Sequence, residues 1–289
     1  MATLKIENLN KVYPNGVKAL DNVSIEISNG MFGLLGPNGA GKSSLMRTLA
    51  TLQEADSGTA FLNDIDILNN PLALRKVLGY LPQEFGVYPK ITAEQLLDHI
   101  AILKGITNSK ERKELVNYLL QKVNLYEQRS KSVKGFSGGM KQRVGIAQAL
   151  IGNPQLIIVD EPTAGLDPGE RNRFHNLLAD VGQDVVIILS THIVDDVREL
   201  CSNMAIMNLG QLVYQGTPNN VLQELKGKVW QKSIERNQVN EYQQNFKVIS
   251  DKMVAGNPLI HVLSDSNPGN GFEQVEPNLE DVFFTKINN

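Results

Sequence analysis

The 289-residue chain is 42% hydrophobic and 20% charged, which excludes a disordered or fibrous polypeptide and leaves room for a large domain plus a smaller one. Its 28 basic and 31 acidic side chains give a net charge of -3, so no electrostatic footprint points to nucleic acid or an anionic membrane, and no nucleic-acid partner is expected. The single cysteine, Cys201, excludes an internal disulfide framework and suits a reducing compartment.

Residues 1–10 alternate rather than opening on a charged lead and an apolar core, so no secretion signal is expected. No stretch approaches the ~20 apolar residues that span a bilayer. Val23–Ile27 alternates like a half-buried strand, and Met31–Leu35 is a continuous apolar run like a buried one. A helix is predicted over Ser43–Leu52, where Leu45, Met46, Leu49 and Leu52 fall at helical spacing. Further strands are predicted at Thr59–Leu62, Val77–Leu81, Leu156–Asp160 and Val185–Ser190, and the unbroken aliphatic runs of the last two predict strands covered on both faces of a mainly parallel α/β sheet. Helical patterns at Thr92–Leu103, Ser109–Val123 and Ser137–Ile151 predict a helical insertion over about 84–152. Met204–Tyr214 reads as a hairpin turning around Asn208 and Gly210. Beyond Thr217 the chain grows richer in Gln and Asn. Short patterns at Lys228–Ile234, Val239–Phe246, Leu259–Leu263 and Leu279–Ile287 predict a small α+β domain over 221–289, set against a main unit over 1–220.

The chemistry is carried first by Gly36, Pro37, Asn38, Gly39, Ala40, Gly41, Lys42 and Ser43, a phosphate-loop pattern lying between a buried strand and a helix. Its glycines let backbone N–H groups converge on phosphate oxygens at the positive end of the helix. Lys42 is expected at the β and γ phosphates of ATP and the Ser43 hydroxyl on Mg²⁺, with Ser44 beside them as a further nucleotide contact. The second motif, Leu156–Glu161, is an aliphatic strand ending in two acids at the edge where ligands of such folds sit. Neighbouring side chains on a strand point apart, so the pair is expected to divide the labour, Asp160 holding Mg²⁺ and Glu161 polarising the attacking water. Read alone, the first motif is a glycine-rich turn and the second a strand ending in solvated acids; their combination points to nucleotide hydrolysis.

With Phe136-Ser137-Gly138-Gly139-Met140-Lys141-Gln142-Arg143 added, the chain resembles the nucleotide-binding subunit of an ATP-binding-cassette (ABC) transporter over about Leu4–Gly216. The resemblance implies a phosphate-loop NTPase cassette whose mainly parallel sheet carries an antiparallel β subdomain and a helical subdomain. It also implies that Ser137, Gly138 and Gly139 begin a helix and close over ATP bound to a second subunit; Ser137 is suited to cap that helix. Phe136 and Met140 depart from the common Leu-Ser-Gly-Gly-Gln, and Met140 lacks the amide of a glutamine. By the same resemblance Tyr13 stacks on adenine, and Gln83, in Leu81-Pro82-Gln83-Glu84, touches the Mg²⁺ and water site and links it to a transmembrane partner. Asp167, in Gly165-Leu166-Asp167, crosses the dimer interface, and His192 contacts the γ-phosphate. His99, His175 and His261 match nothing in the family and are read as surface or packing residues, and Cys201 as a packed thiol. Val275–Phe284 resembles the ending of ATPase subunits that serve bacterial multidrug and lipid-type exporters; it also reads as an amphipathic helix docking Leu279, Val282 and Phe283.

These expectations describe two copies sandwiching ATP and Mg²⁺, attached through separate integral membrane permease subunits to the cytoplasmic side of the cell membrane, and powering export. A soluble ABC ATPase clamping the ribosome or DNA is the alternative from another class, and a regulatory module without turnover is a third, against which Glu161 and His192 both argue.

Overall fold

The computed structural model describes residues 2–83, 86, 89–163, 166–181 and 185–288; Glu84 and Gly165, which belong to two of the predicted loops, lie outside them. In chain order, strands β1 (Thr3–Val12) and β2 (Lys18–Ser28) are followed by β3 (Gly30–Leu35), helix α1 (Lys42–Leu49), β4 (Ser57–Leu62), β5 (Ile65–Asp66), α2 (Pro71–Val77) and β6 (Leu78–Leu81). Helices α3 (Ala93–Leu103), α4 (Ser109–Lys122) and α5 (Gly138–Ala149) come next. Then β7 (Leu156–Asp160), α6 (Pro168–Val181), β8 (Val186–Thr191) and α7 (Val194–Leu200) alternate, before the hairpin β9 (Asn203–Asn208) and β10 (Gln211–Gly216). The chain closes with α8 (Pro218–Leu225), β11 (Val229–Ser233), α9 (Val239–Asn245), β12 (Val248–Val254), β13 (Asn257–Leu263), β14 (Glu273–Gln274) and α10 (Leu279–Ile287).

The central sheet runs β10-β9-β3-β8-β7-β6, with every pair parallel except the antiparallel edge β9–β10. Every residue of β7 and β8 is buried, which is why both read as unbroken aliphatic runs: helices and the second sheet cover them on both faces. That second sheet, β2-β1-β4-β5, is antiparallel. In β2 alternate residues Val23, Ile25 and Ile27 are buried and their neighbours exposed, the period-2 pattern of a sheet with one wet face. Helices α3, α4 and α5 pack together, burying Leu97, Leu120 and Val144 in the core that also holds Val159 and Leu189.

Helix boundaries follow local chemistry. Thr92 caps α3 in a reciprocal box with Gln95, and Asn108 accepts from the first N–H groups of α4. The predicted helix over Ser43–Leu52 stops earlier, at Leu49, because Thr51 turns into the left-handed region with φ 58°. Val77, expected in a strand, instead ends α2. Helices α2, α6, α7 and α8 and strand β12 carried no pattern that the sequence reading used.

The remaining sheet, β12-β13-β11-β14, separates two cores. Val229 and Ile249 face the main core together with Leu279, Val282 and Phe283 of α10, whereas Trp230, Ile260, Val262 and Phe272 form a small core of their own. Val229 and Trp230 are adjacent in sequence and face opposite ways, as strand geometry requires. Helix α10 packs on α7, α8 and β12, and its first turn is fixed by a buried carboxylate. Asp281, fully buried, accepts from the backbone N–H of Asn278 at 3.0 Å and pairs with His261 Nδ1 at 2.7 Å. The amphipathic reading of the tail therefore holds: Leu279, Val282 and Phe283 are all buried. Among the described residues no helix is long and apolar enough to cross a membrane. Because Phe283 closes the seam between α10 and the main core, Phe283→Ala should lower unfolding stability by ~3–5 kcal/mol, read as a shifted midpoint in urea unfolding.

Candidate functional site

The phosphate loop leaves β3 at Gly36 and enters α1 at Lys42. Two of its glycines are dictated by space. A Cβ at Gly36 would collide with the carbonyl of Met207, and one at Gly41, where φ is 106°, with the carbonyl of Ala19. The hairpin β9–β10 buttresses the loop from behind: the Gly210 N–H donates to Ala40 O at 2.9 Å, and the Asp21 N–H to Gly210 O at 2.9 Å. Leu209 and Gly210 both have positive φ (47° and 83°), the geometry of a two-residue hairpin turn, so the turn signal at Asn208 and Gly210 also serves the site. No side chain caps α1, which leaves its first N–H groups pointing into the loop as an anion site.

Beside the loop opens a cavity of about 490 Å³. Tyr13, Val17, Ala19, the whole segment 37–44, Gln83, Glu161 and His192 line it. Three of these lining side chains meet at the Glu161 carboxylate. Lys42 Nζ lies 3.8 Å from Oε1, while His192 Nδ1 lies 3.0 Å and Gln83 Nε2 3.4 Å from Oε2. Lys42 is buried and donates to the carbonyls of Gly36 (2.7 Å) and Pro37 (3.2 Å); burial holds its pKa below the ordinary lysine value, against the pull of Glu161 and Asp160. His192 stays half in solvent.

Asp160 and Glu161 do part company, but a turn separates them rather than strand alternation. Strand β7 ends at Asp160, and Glu161 adopts φ 48°, with its N–H held by Ser190 O at 2.8 Å. Asp160 stays beneath the cavity floor, where burial pushes its pKa above the usual carboxyl value, countered in part by the hydroxyls of Ser190 and Ser43. Its Oδ1 is buried without a hydrogen-bond partner. An unpaired carboxylate oxygen next to the Ser43 hydroxyl is a hard, oxygen-only donor set, the kind that suits Mg²⁺ completed by phosphate and water. Among the described residues no group of three or more His, Cys, Asp or Glu side chains forms a metal cluster.

Ser137, Gly138, Gly139 and Asp167 are not among the lining residues of this cavity. Ser137 caps α5, accepting from the Met140 N–H at 3.2 Å, and Asp167 caps α6, accepting from the Glu170 N–H at 2.9 Å. The two helix starts are joined: Glu170 packs where a side chain at Gly139 would stand, and it pairs with Arg143 at 3.3 Å. Phe136 is buried and Met140 half-buried in the main core.

The sequence reading missed a buried hub. Asp196, fully buried on α7, accepts from Thr163, from Arg171 Nε (2.7 Å) and from Thr191 Oγ1 (3.4 Å), and it faces His175 Nε2 at 3.0 Å. It thereby joins the segment leaving Glu161 to the segment carrying His192. His175 is a packing residue as expected, but one ligated by carboxylates; His261 is the same, and His99 is exposed. Cys201 is a packed thiol whose pKa burial drives far up. The lining residues Val17 and Ala19 carried no motif.

Two buried carboxylates should respond oppositely to removal. The cost of ionising Asp160 is absent at low pH, where it is protonated in both states, sets in as pH rises past the ordinary carboxyl value and is complete above the raised one. Asp160→Asn should therefore raise the unfolding stability of the ligand-free chain at neutral pH, with a gain that disappears on acidification. Asp196→Ala should lower it by ~3–5 kcal/mol by stranding its partners, both read by thermal unfolding across pH.

The profile of the ABC transporter family matches residues 20–164. Probable multidrug ABC transporter ATP-binding protein YbhF of Escherichia coli (strain K12) is 32% identical over 98% of this chain and 51% of its own length, so the chain spans about half of that relative. Uncharacterized ABC transporter ATP-binding protein YxlF of Bacillus subtilis (strain 168) is 34% identical over 92% of this chain and 84% of its own. Methionine import ATP-binding protein MetN of Histophilus somni (strain 129Pt) is 31% identical over 84% and 74%. The fold is close to that of the ATP-binding cassette MJ0796, solved as a dimer in a post-hydrolysis state with ADP and Pi, with a TM-score of 0.68 at 25% identity over 74% of this chain and 98% of that one. Phosphate loop and paired acids occur here in one cassette fold, and the chain belongs to the ABC transporter family.

Proposed function

We propose that the chain hydrolyses ATP in a two-copy sandwich and passes the resulting motion to membrane permease subunits that export a substrate. One observation carries the catalytic part: Lys42, Gln83 and His192 all converge on the carboxylate of Glu161 at the mouth of the phosphate loop. The loop from Gly36 to Ser44 holds the triphosphate, Lys42 exchanging its carbonyl partners for β and γ oxygens, and Tyr13 packs on the base. Ser43, Asp160 and Gln83 would hold Mg²⁺, which when bound neutralises charge on the β and γ phosphates. Glu161 takes the proton of the attacking water as its oxygen forms the new bond to γ-phosphorus and the bond to the bridging oxygen of ADP breaks. Positioned general-base help of this kind contributes ~10²–10⁴ in rate. His192 donates from its other ring nitrogen toward the γ-phosphate and steadies Glu161.

Ser137, Gly138, Gly139 and Asp167 meet the site of the second copy, which accounts for their lying apart from the cavity of their own chain. The γ-phosphate then favours the closed pair, and its loss reopens it. In this reading residues 1–220 form the cassette, with its helical subdomain at about 84–152, and 221–289 an accessory domain. The surface around Gln83 delivers the motion to the permease, so the chain works at the cytoplasmic face of the membrane. Export is supported by the tail Val275–Phe284 and by the YbhF likeness, while the likeness to MetN, named for import, pulls the other way.

Glu161→Gln should cut turnover by at least ~10²-fold while favouring an ATP-bound dimer on gel filtration; unchanged turnover removes Glu161 from its role. Lys42→Ala should weaken nucleotide binding, and undiminished affinity contradicts the loop assignment. The chain should co-purify with a multispan protein from detergent-solubilised membranes. Recovery of ribosomes in its place would support the soluble-clamp alternative.

A further inference from the structure

Outside the catalytic carboxylate, the most tightly specified polar feature around the cavity is a closed ring of hydrogen bonds at its base end. Tyr13 Oη donates to Gln53 Oε1 at 3.0 Å and lies 3.0 Å from Ser44 Oγ. Gln53 Nε2 donates to Ser44 O at 3.0 Å and to Thr48 Oγ1 at 2.9 Å, and Thr48 Oγ1 donates to Ser44 O at 2.9 Å. The donor count settles the proton positions. The Gln53 amide can satisfy two acceptors on α1 only with its nitrogen, so its oxygen must face Tyr13. The single phenol proton is then spent on Gln53, and Tyr13 Oη accepts from the Ser44 hydroxyl. Tyr13, Ser44 and Gln53 are all half-buried, so the ring is shielded without being sealed.

The backbone on either side is pinned as well. The Tyr13 N–H donates to Val17 O at 2.9 Å, and the Val12 N–H just before it is held by Asp56 Oδ2. Neither end of the Tyr13 side chain is therefore free to swing, and its face is set before any nucleotide arrives. Ordering a two-torsion aromatic in advance removes that entropy from the binding step.

We infer that Gln53 is a positioning residue for nucleotide base recognition, holding Tyr13 at the cavity wall through the phenol and tying that ring to Ser44 at the start of α1. The inference rests on the proposed reading of Tyr13 as the base contact. Ser44 fixes the same ring from α1 through its own hydroxyl, a bond that does not pass through Gln53. Gln53 itself does not line the cavity; it acts through its partners.

The test compares binding of ATP with binding of inorganic tripolyphosphate, which has the phosphates but no base, using the full chain with Mg²⁺. Gln53→Leu should weaken ATP roughly threefold to tenfold, the effect of losing one such hydrogen bond, and leave tripolyphosphate affinity unchanged. Tyr13→Phe should weaken ATP similarly, and combining the two should cost no more than either alone. If ATP and tripolyphosphate weaken together in Gln53→Leu, Gln53 merely supports the phosphate loop and the inference is overturned. It is equally overturned if Tyr13→Ala weakens ATP while Gln53→Leu and Tyr13→Phe bind as the parent chain does. Undiminished ATP affinity in Tyr13→Ala would instead remove the base-contact reading itself, and the inference with it.

Discussion

The site depends on the register of three buried parallel strands. Leu34 of β3, Ser190 of β8 and Asp160 of β7 stand in one row across the sheet, and in the next row Leu35 is paired with Thr191. The chain leaves all three strands at the same edge, so the phosphate loop, Glu161 and His192 emerge side by side though more than a hundred residues separate the first from the others. This is the general geometry of ligand sites at the carboxyl ends of parallel strands. What is particular here is that β7 and β8 are aliphatic and buried on both faces until the row of Ser190 and Asp160. The end of each aliphatic run, at Asp160 in β7 and at Ser190 in β8, therefore marks where the strand reaches the edge that carries the cavity.

Above that edge, two carboxylates do opposite physical work. Glu161 faces the cavity and gathers a lysine, a histidine and an amide, all within hydrogen-bond or ion-pair reach. Asp196 is sealed from solvent and saturated by hydroxyls, an arginine and a histidine, so it fixes the relative position of the loops that follow β7 and β8. The satisfied buried group serves rigidity; Asp160, with a buried oxygen left unpaired among the described residues, costs stability. The accessory sheet reaches the same machinery from the other side, since α10 packs on α7, the helix that carries Asp196. The segment carrying His192 and the packing of α10 thus meet at one helix.

The parts legible in the sequence are those where backbone geometry needs a particular residue or where two faces are buried at once. The glycines of the phosphate loop, the turn at Gly210 and the aliphatic runs of β7 and β8 are of this kind. The hairpin was readable as structure, but not as a buttress, because the bond from Gly210 to Ala40 spans the chain. Helix α7 was invisible for a related reason: it is short and carries acids in its first turn, and the burial of Asp196 depends on partners brought from α6 and from beyond β7. Strand β12 runs exposed from Asp251 to Val254, so it lacked the alternation that marks a half-buried strand. The separation of Asp160 from Glu161 was foreseen for an inadequate reason. Alternation would have applied had the strand continued, whereas the chain turns.

That turn carries a consequence for how such a chain drifts. A residue with φ near 48° sits in the left-handed region, where Gly, Asn and Asp are accommodated and β-branched residues are strained. Substitution at position 161 is therefore tolerated by the backbone far more readily as Gly, Asn, Asp or another unbranched residue than as Val, Ile or Thr. Because the phosphate loop is braced separately by the β9–β10 hairpin, such substitutions leave its frame in place. The turn and the loop are thus held by separate bonds, and the two walls of the cavity can change one at a time.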